Sequence, residues 1–395
     1  MAHCLLTGAA GLLGSYLLRD CLLAGHRLAV LVRPSGSESA RQRIDALLTR
    51  WEDQTGKALP RPVVFEGDLC RPDLGLDASD ERWIGRHCRA VLHNAAKLTF
   101  YGTDRRREPW ISNVEGTRNI LELCRRSKVE QFHHISTAYV CGLREGRILE
   151  AELDVGQEMG NDYERSKVEA EKLVRSARLE QPATIYRPSI IVGDSQTGYS
   201  STFHGFYAMV RLAHTLASQM VLGSITADLL MEAFHMDGHE RKDYVPVDWV
   251  SSAITNLLGR PEHHGRTYHL TAAESTPVAV WSRAIQHAVE RCSSLADPSD
   301  PTRRDAQWFV ELFRGQAGIY RAYWRDDPQF DRTNTVSATA HLPCPTVDYE
   351  MLLRMAKFAI RTNFGRHTRT PIGGNGKRPC VLETLLQSVV TPENG

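Results

Sequence analysis

Through roughly the first 190 residues, short apolar runs alternate with segments of helical period. Residues 2–7 and 27–32 are apolar without strict alternation, and the pattern returns at 62–65, 90–93, 131–135 and 183–186. Between them, Leu13, Leu17, Leu18 and Cys21 recur at helical spacing over 12–24, and Gly25 follows as a stop. Further helices are predicted at 113–126 and 163–178. Strands apolar on both faces belong to a parallel sheet covered by helices on each side. Repeated β-α-β units of this kind predict an α/β fold with a doubly wound parallel sheet.

After Gly193 the rhythm changes. Residues 199–236 read as helical or irregular and rich in aromatics, 266–271 as one more strand, and 278–365 as helix and loop. The expected organisation is a sheet domain of 1–193 and 243–272, with a smaller, discontinuous, mostly helical substrate domain of 194–242 and 273–365. Residues 366–395, rich in Gly, Pro and Arg, are expected to form a flexible tail with a short helix at 381–390.

Composition narrows the function classes. Forty-eight basic and 47 acidic residues leave a net charge of +1, which argues against a nucleic-acid partner held by phosphate neutralisation. No apolar stretch reaches the length of a membrane-spanning helix; the longest candidate, 220–231, contains Asp228. The N-terminus lacks a signal-peptide pattern, and the nine dispersed cysteines form no CxxC pair. A cytoplasmic protein with reduced thiols is expected.

Candidate chemistry begins at the first predicted turn. Gly8, Gly11 and Gly14 lie in TGAAGLLG, between strand and helix. Gly8 permits the turn, Gly11 lets a pyrophosphate approach the backbone, and Gly14 allows close packing. The turn residues Gly8, Ala10, Gly11, Leu12 and Leu13 are thus candidate dinucleotide contacts at a helix N-terminus. Where an acid would bind the ribose of NAD, this chain has Arg33, with Arg43 a second candidate, which favours the 2′-phosphate of NADPH. Asp68 and Leu69 follow the third strand, a usual place for an adenine contact. Ala95 and Ala96 follow the fourth and would let the cofactor lie against the backbone. Tyr163 and Lys167 stand at i and i+4 on one predicted helix face. An ammonium there favours phenolate and is expected to lower the Tyr163 pKa. Ser136 or Thr137, after the fifth strand, supplies a hydroxyl.

TGAAGLLG, HNAAKLTFYG, NVEGTRNILELC, ISTAYVCG, YERSKVEAEKLV, YRPSIIVGDSQTG and DYVPVDWVSSAI, in that order, resemble the extended short-chain dehydrogenase/reductase family, with its Rossmann sheet. The likeness covers the chain to about residue 272. LVRPSG, GDSQTG and FDRTNT are similar to the thioester-reductase and fatty acyl-CoA reductase branch in particular.

The resemblance implies a catalytic set of Thr137, Tyr163 and Lys167. Thr137 is preferred to Ser136 because it stands five residues before Gly142, as the family's catalytic hydroxyl does. Cofactor contacts are implied at Lys97, Asn113, Ser136, Pro188 and Ile190, besides Tyr163 and Lys167. Ala138 replaces the acid that dehydratases of the family carry. The implied activity is NADPH-dependent reduction of an acyl thioester, CoA-bound or carrier-bound, to aldehyde or alcohol, in the biosynthesis of a specialised metabolite or lipid. The other implied possibility is an oxidoreductase or epimerase of a free ketone, alcohol or nucleotide sugar. The chain begins at the first strand, so a carrier-bound substrate is expected to arrive in trans.

Several features invite blander readings. His235 and His239 at i and i+4 lack a third metal ligand nearby. His133 and His134 suit packing. Arg105, Arg106 and Arg107 suit a solvated loop, or the rim that meets an acidic carrier. Phe203, Phe206, Tyr207, Val210 and Leu212 suit a core, or an acyl pocket.

Overall fold

The computed structural model describes residues 2–217, 225–290 and 306–365. The expected tail and its helix lie outside the described residues, as do residues 220–224 of the 220–231 stretch.

Seven parallel strands form one sheet: β1 (His3–Thr7), β2 (Arg27–Val32), β3 (Val63–Glu66), β4 (Cys88–His93), β5 (Gln131–Ile135), β6 (Thr184–Pro188) and β7 (Thr267–Leu270). Their order is β7-β6-β5-β4-β1-β2-β3, every neighbouring pair parallel. Order reverses between β1 and β4, so the turns after those strands meet at the carboxyl edge, where such sheets bind ligands. The helices of this unit are α1 (Leu12–Leu23), α2 (Ala40–Thr55), α3 (Ala78–His87), α4 (Gly116–Ser127), α5 (Asp162–Ser176), α6 (Val247–Leu258) and α7 (Thr333–Thr339). The apolar run of β2, Leu28 to Val32, is explained by burial along its whole length. On one face Leu5, Ala29, Val91, Phe132 and Ile185 pack with Ile84 of α3 and Ile120 and Leu123 of α4. Each such large side chain contributes about 1.5–3 kcal/mol on burial.

The chain divides into two compact units. The sheet unit comprises Met1–Ile191, Val245–Ala273 and Pro328–Pro345. The last stretch corrects the sequence reading, which groups it with the second domain. The cause is a buried carboxylate: Glu150 accepts from the backbone amides of Asn334 (2.7 Å) and His269 (3.0 Å) and from the Thr335 hydroxyl (3.1 Å). Gln329–Phe330 also pairs in parallel with Arg147–Ile148, and Arg147 meets Asp331 at 2.8 Å. These polar contacts carry no hydrophobic period.

The second unit spans Val192–Tyr244, Glu274–Asp327 and the chain from Thr346. Helices Phe206–Ala217, Ala227–Phe234, Val278–Glu290, Ala306–Ala317 and Tyr349–Arg361 build it. Phe234 is ringed by Trp281, Phe313 and Trp324 at 5.0–5.5 Å between centroids. A buried Lys242–Asp327 ion pair at 3.1 Å joins two of its chain stretches. Phe206, Tyr207, Val210 and Leu212 are buried in this core, and Phe203 packs against Tyr207 and Phe364.

Candidate active site

The turn after β1 is built almost entirely from backbone. Gly8 has φ +70°, and a Cβ there would sit 2.8 Å from the Cα of Ala95. A Cβ on Gly14 would sit 1.8 Å from the Gly8 carbonyl, so α1 can start this close only on glycine. Gly11 differs: its Cβ would meet only the Gly8 oxygen, at 3.5 Å. No side chain caps α1, and Gly11 at its N-cap is exposed. Uncapped amides beside an open glycine fit the pyrophosphate of a dinucleotide.

A polar lattice ties this turn to the end of β4. Thr117 donates to the Asn113 carbonyl (2.6 Å), so its oxygen accepts from His93 Nε2 (3.1 Å). His93 Nδ1 then accepts from the Thr7 hydroxyl (2.9 Å), whose oxygen accepts from the amides of Asn94 and Ala95 (both 3.2 Å). Burial lowers the His93 pKa to about 3, in keeping with this neutral role. Ala95 and Lys97 are half-buried and Ala96 is exposed.

At the end of β2, Arg33 is exposed and Arg43 of α2 donates to its carbonyl at 2.5 Å, which brings the two arginines together. The nearby carboxylate, Glu66, is engaged by the Ala40 amide at the start of α2 (3.0 Å). Asp68 accepts from the Cys70 amide (2.9 Å), and the Leu69 carbonyl accepts from Asn119 (2.8 Å).

Asn161 caps α5 by accepting from the Glu164 amide (2.9 Å), and Glu164 returns a carboxylate to the Gly160 amide (2.8 Å). Helical spacing then sets Tyr163 and Lys167 on one face. Lys167 is 2% exposed and donates to the Ile135 carbonyl at 2.7 Å. Desolvation lowers its pKa to about 8, against the opposing pull of Glu171. The expected lowering at Tyr163 is not found. Burial first, then the Glu164 carboxylate, push this phenol above its ordinary range, and the Lys167 ammonium is spent on Ile135. Phe100, which lies in HNAAKLTFYG and has no role in the sequence reading, meets the Tyr163 ring edge-on at 6.4 Å.

Thr137 is buried in the turn after β5. Its oxygen accepts from the Tyr139 amide (3.3 Å), and its hydroxyl donates loosely to the Pro188 carbonyl (3.4 Å). Ser136 is also buried, and its hydroxyl makes no hydrogen bond among the described residues. Ile190 is half-buried just past Pro188. Asn113, a cofactor contact by resemblance, spends its side chain on protein. It bonds the Lys97 amide (2.7 Å) and carbonyl (3.0 Å) and the Ser166 hydroxyl (2.8 Å), and Ser166 donates to the Tyr163 carbonyl (2.7 Å). It sits in a π-helical turn, Ile111–Glu115.

The other candidates fall outside this constellation. Arg105 lies over the Trp110 ring at 4.4 Å, and Arg107 pairs with Asp104 at 3.5 Å. His133 bonds the Tyr186 hydroxyl (3.0 Å), and His134 stacks on His93 (5.5 Å between centroids). His235 ends a helix in the left-handed region. Among the described residues no group of three His, Cys, Asp or Glu could hold a metal, and no helix is long and apolar enough to cross a membrane.

A component of the linear gramicidin synthase of Brevibacillus parabrevis is 29% identical over 384 residues, which is 92% of this chain and 7% of that protein. Aldehyde reductase lnaA of Aspergillus flavus is 25% identical over 413 residues, 93% of this chain and 37% of that protein. The chain therefore spans well under half the length of these relatives. The terminal R domain from the myxalamid PKS-NRPS pathway superposes with a TM-score of 0.71 at 26% identity, covering 92% of both chains. A thiolation-reductase di-domain from an archaeal non-ribosomal peptide synthetase gives 0.65 at 19% identity over 92% of this chain and 76% of that one, a likeness of fold. A profile of the NAD-binding family described as male sterility protein matches residues 6–254. More than half the chain is covered, and the chain belongs to that male sterility protein family.

Proposed function

We propose that the chain is an NADPH-dependent reductase of an acyl thioester, with Thr137, Tyr163 and Lys167 as its catalytic set. The observation that carries the reading is the likeness to the myxalamid R domain along 92% of both chains. The Tyr163–Lys167 face of α5 and the uncapped glycine turn, both in the sheet unit, support the chemistry.

When bound, NADPH supplies a hydride to the thioester carbonyl carbon. The Thr137 and Tyr163 hydroxyls hydrogen-bond the carbonyl oxygen as it gains charge. Tyr163 gives that oxygen its proton, a step suited to a phenol kept neutral by burial. The resulting hemithioacetal loses its thiol and leaves an aldehyde; a second round would give an alcohol. Lys167 holds the nicotinamide ribose. Arg33 and Arg43 hold the 2′-phosphate, the basis for preferring NADPH to NADH. The R-domain and thiolation-reductase likenesses support a carrier-bound acyl group, with CoA as the other donor.

The test is NADPH consumption with an acyl-pantetheine thioester and release of free thiol. Tyr163→Phe should lower kcat by roughly 10²–10⁴ with NADPH affinity kept. Turnover of a free ketone or nucleotide sugar but no thioester would overturn the substrate assignment. Near-normal turnover by Tyr163→Phe would overturn the proton-donor assignment.

A further inference from the structure

Tyr163 is half-buried, and among the described residues its hydroxyl makes no hydrogen bond. The direction of the phenol therefore depends on what its ring packs against. That ring meets Phe100 at an interplanar angle of 84° and 6.4 Å between centroids. Edge-to-face pairs prefer this arrangement, which an aliphatic neighbour does not impose.

Phe100 lies in a loop without regular structure, yet the loop is pinned along its length. Ahead of Phe100, Asn113 holds the amide and carbonyl of Lys97. At Phe100 itself, the carbonyl accepts from the Asp162 amide (3.0 Å). Asp162 is the first residue of α5, and the leading amides of a helix have no partner inside it. Beyond Phe100, the buried Asp162 carboxylate accepts from the Gly102 amide through Oδ2 (2.9 Å) and meets Arg165 through Oδ1 (3.3 Å). The Gly102 carbonyl accepts from Trp110 Nε1 (2.5 Å), and a Cβ on Gly102 would sit 2.2 Å from the Glu108 carbonyl oxygen. The residue immediately before Tyr163 thus grips the loop at Phe100 and again at Gly102.

We propose that Phe100 is a positioning residue for the Tyr163 phenol, and that Asp162 is the clamp that holds Phe100 against it. This rests on the assignment of Tyr163 as proton donor. A displacement of the donor by about 1 Å can cost roughly 100-fold in rate. Cofactor binding falls to the glycine turn and Lys167 and does not depend on Phe100.

The experiment uses the full chain. It measures kcat, KM and NADPH affinity with the carbonyl substrate that the unmodified chain reduces, an acyl-pantetheine thioester or a free ketone. Phe100→Leu keeps apolar volume and removes the ring. Its kcat should fall roughly 10- to 100-fold, with NADPH affinity and melting temperature kept. Phe100→Tyr restores a ring and should hold kcat near normal. Asp162→Ala frees the Gly102 amide and should lower kcat as Phe100→Leu does. Asp162→Asn keeps an acceptor for that amide and should keep kcat. Because Asp162 acts through Phe100, Asp162→Ala combined with Phe100→Leu should be no slower than Phe100→Leu alone. Normal kcat in a folded Phe100→Leu overturns the proposal, and additive losses in the double variant overturn the clamp. Tyr163→Phe, measured in parallel, separates the two failures. If it also turns over normally, the proton-donor assignment is wrong; if it is slow while Phe100→Leu is normal, only the positioning role fails.

Discussion

The glycine turn after β1 and the buried face of α5 solve opposite problems. The first makes a place for negative charge by omission: Gly8 and Gly14 leave out atoms for which there is no room, and Gly11 leaves a surface open. The second installs charge where water is absent: Lys167, Glu171 and Arg187 are all 2% exposed or less. One region is therefore sensitive to volume and nearly indifferent to pH. The other is governed by protonation.

The sharpest way to break this contrast is to add one methyl group. Gly14→Ala should destabilise the sheet unit by about 3 kcal/mol or more, because the new carbon meets backbone that has nowhere to move. Gly11→Ala, three residues earlier, should leave the melting temperature nearly unchanged and weaken dinucleotide binding instead. Thermal melts and NADPH titration read both, and equal destabilisation by the two would show that the turn has no open side.

Removing the buried cation tests the other region. Lys167→Met should abolish tight NADPH binding yet stabilise the fold by about 2–3 kcal/mol at pH 7. The folded pKa of about 8 lies below that of an unfolded lysine. Below about pH 8 both states are charged and the folded state bears the full desolvation penalty. Between about pH 8 and 10.5 the penalty disappears, and the gain from the substitution should disappear with it. Denaturant midpoints that rise equally at pH 7 and pH 10.5 would show that the gain comes from packing.

The smallest expected effect lies at the exposed end of β2. Arg33→Ala should cost about 1.5–3 kcal/mol of NADPH affinity, leave NADH affinity alone, and change stability by less than about 0.5 kcal/mol. Equal affinity for the two cofactors in the unmodified chain would remove Arg33 and Arg43 from the 2′-phosphate site.

What is legible in the sequence follows the same division. Gly8, Gly11 and Gly14 announce a turn because glycine in that spacing has few other uses, and β2 matches its predicted bounds because its buried residues, Leu28 to Val32, are all apolar. Tyr163 and Lys167 are visible through helical spacing, while the direction of the Tyr163 shift is not. Spacing says that two groups are near; it does not say that the ammonium turns to Ile135. Glu150, Glu171 and Arg187 are invisible as a group. Charged residues normally read as surface, and nothing local shows that a turn, a helix and a strand distant in sequence bury them together. For the same reason Pro328–Pro345 reads as part of the wrong unit: its anchor is a carboxylate far earlier in the chain.

That anchor also orders events during synthesis. Glu150 leaves the ribosome long before Asn334 and Thr335, its partners from α7. At ~5–20 residues per second, the 184 residues between Glu150 and Asn334 take roughly 10–40 seconds. In that interval β1 to β6 can pair, but a carboxylate destined for the interior has only water for company. The sheet unit thus stays unfinished until the second unit's central stretch has been made, and neither unit can be completed as a simple N-terminal product.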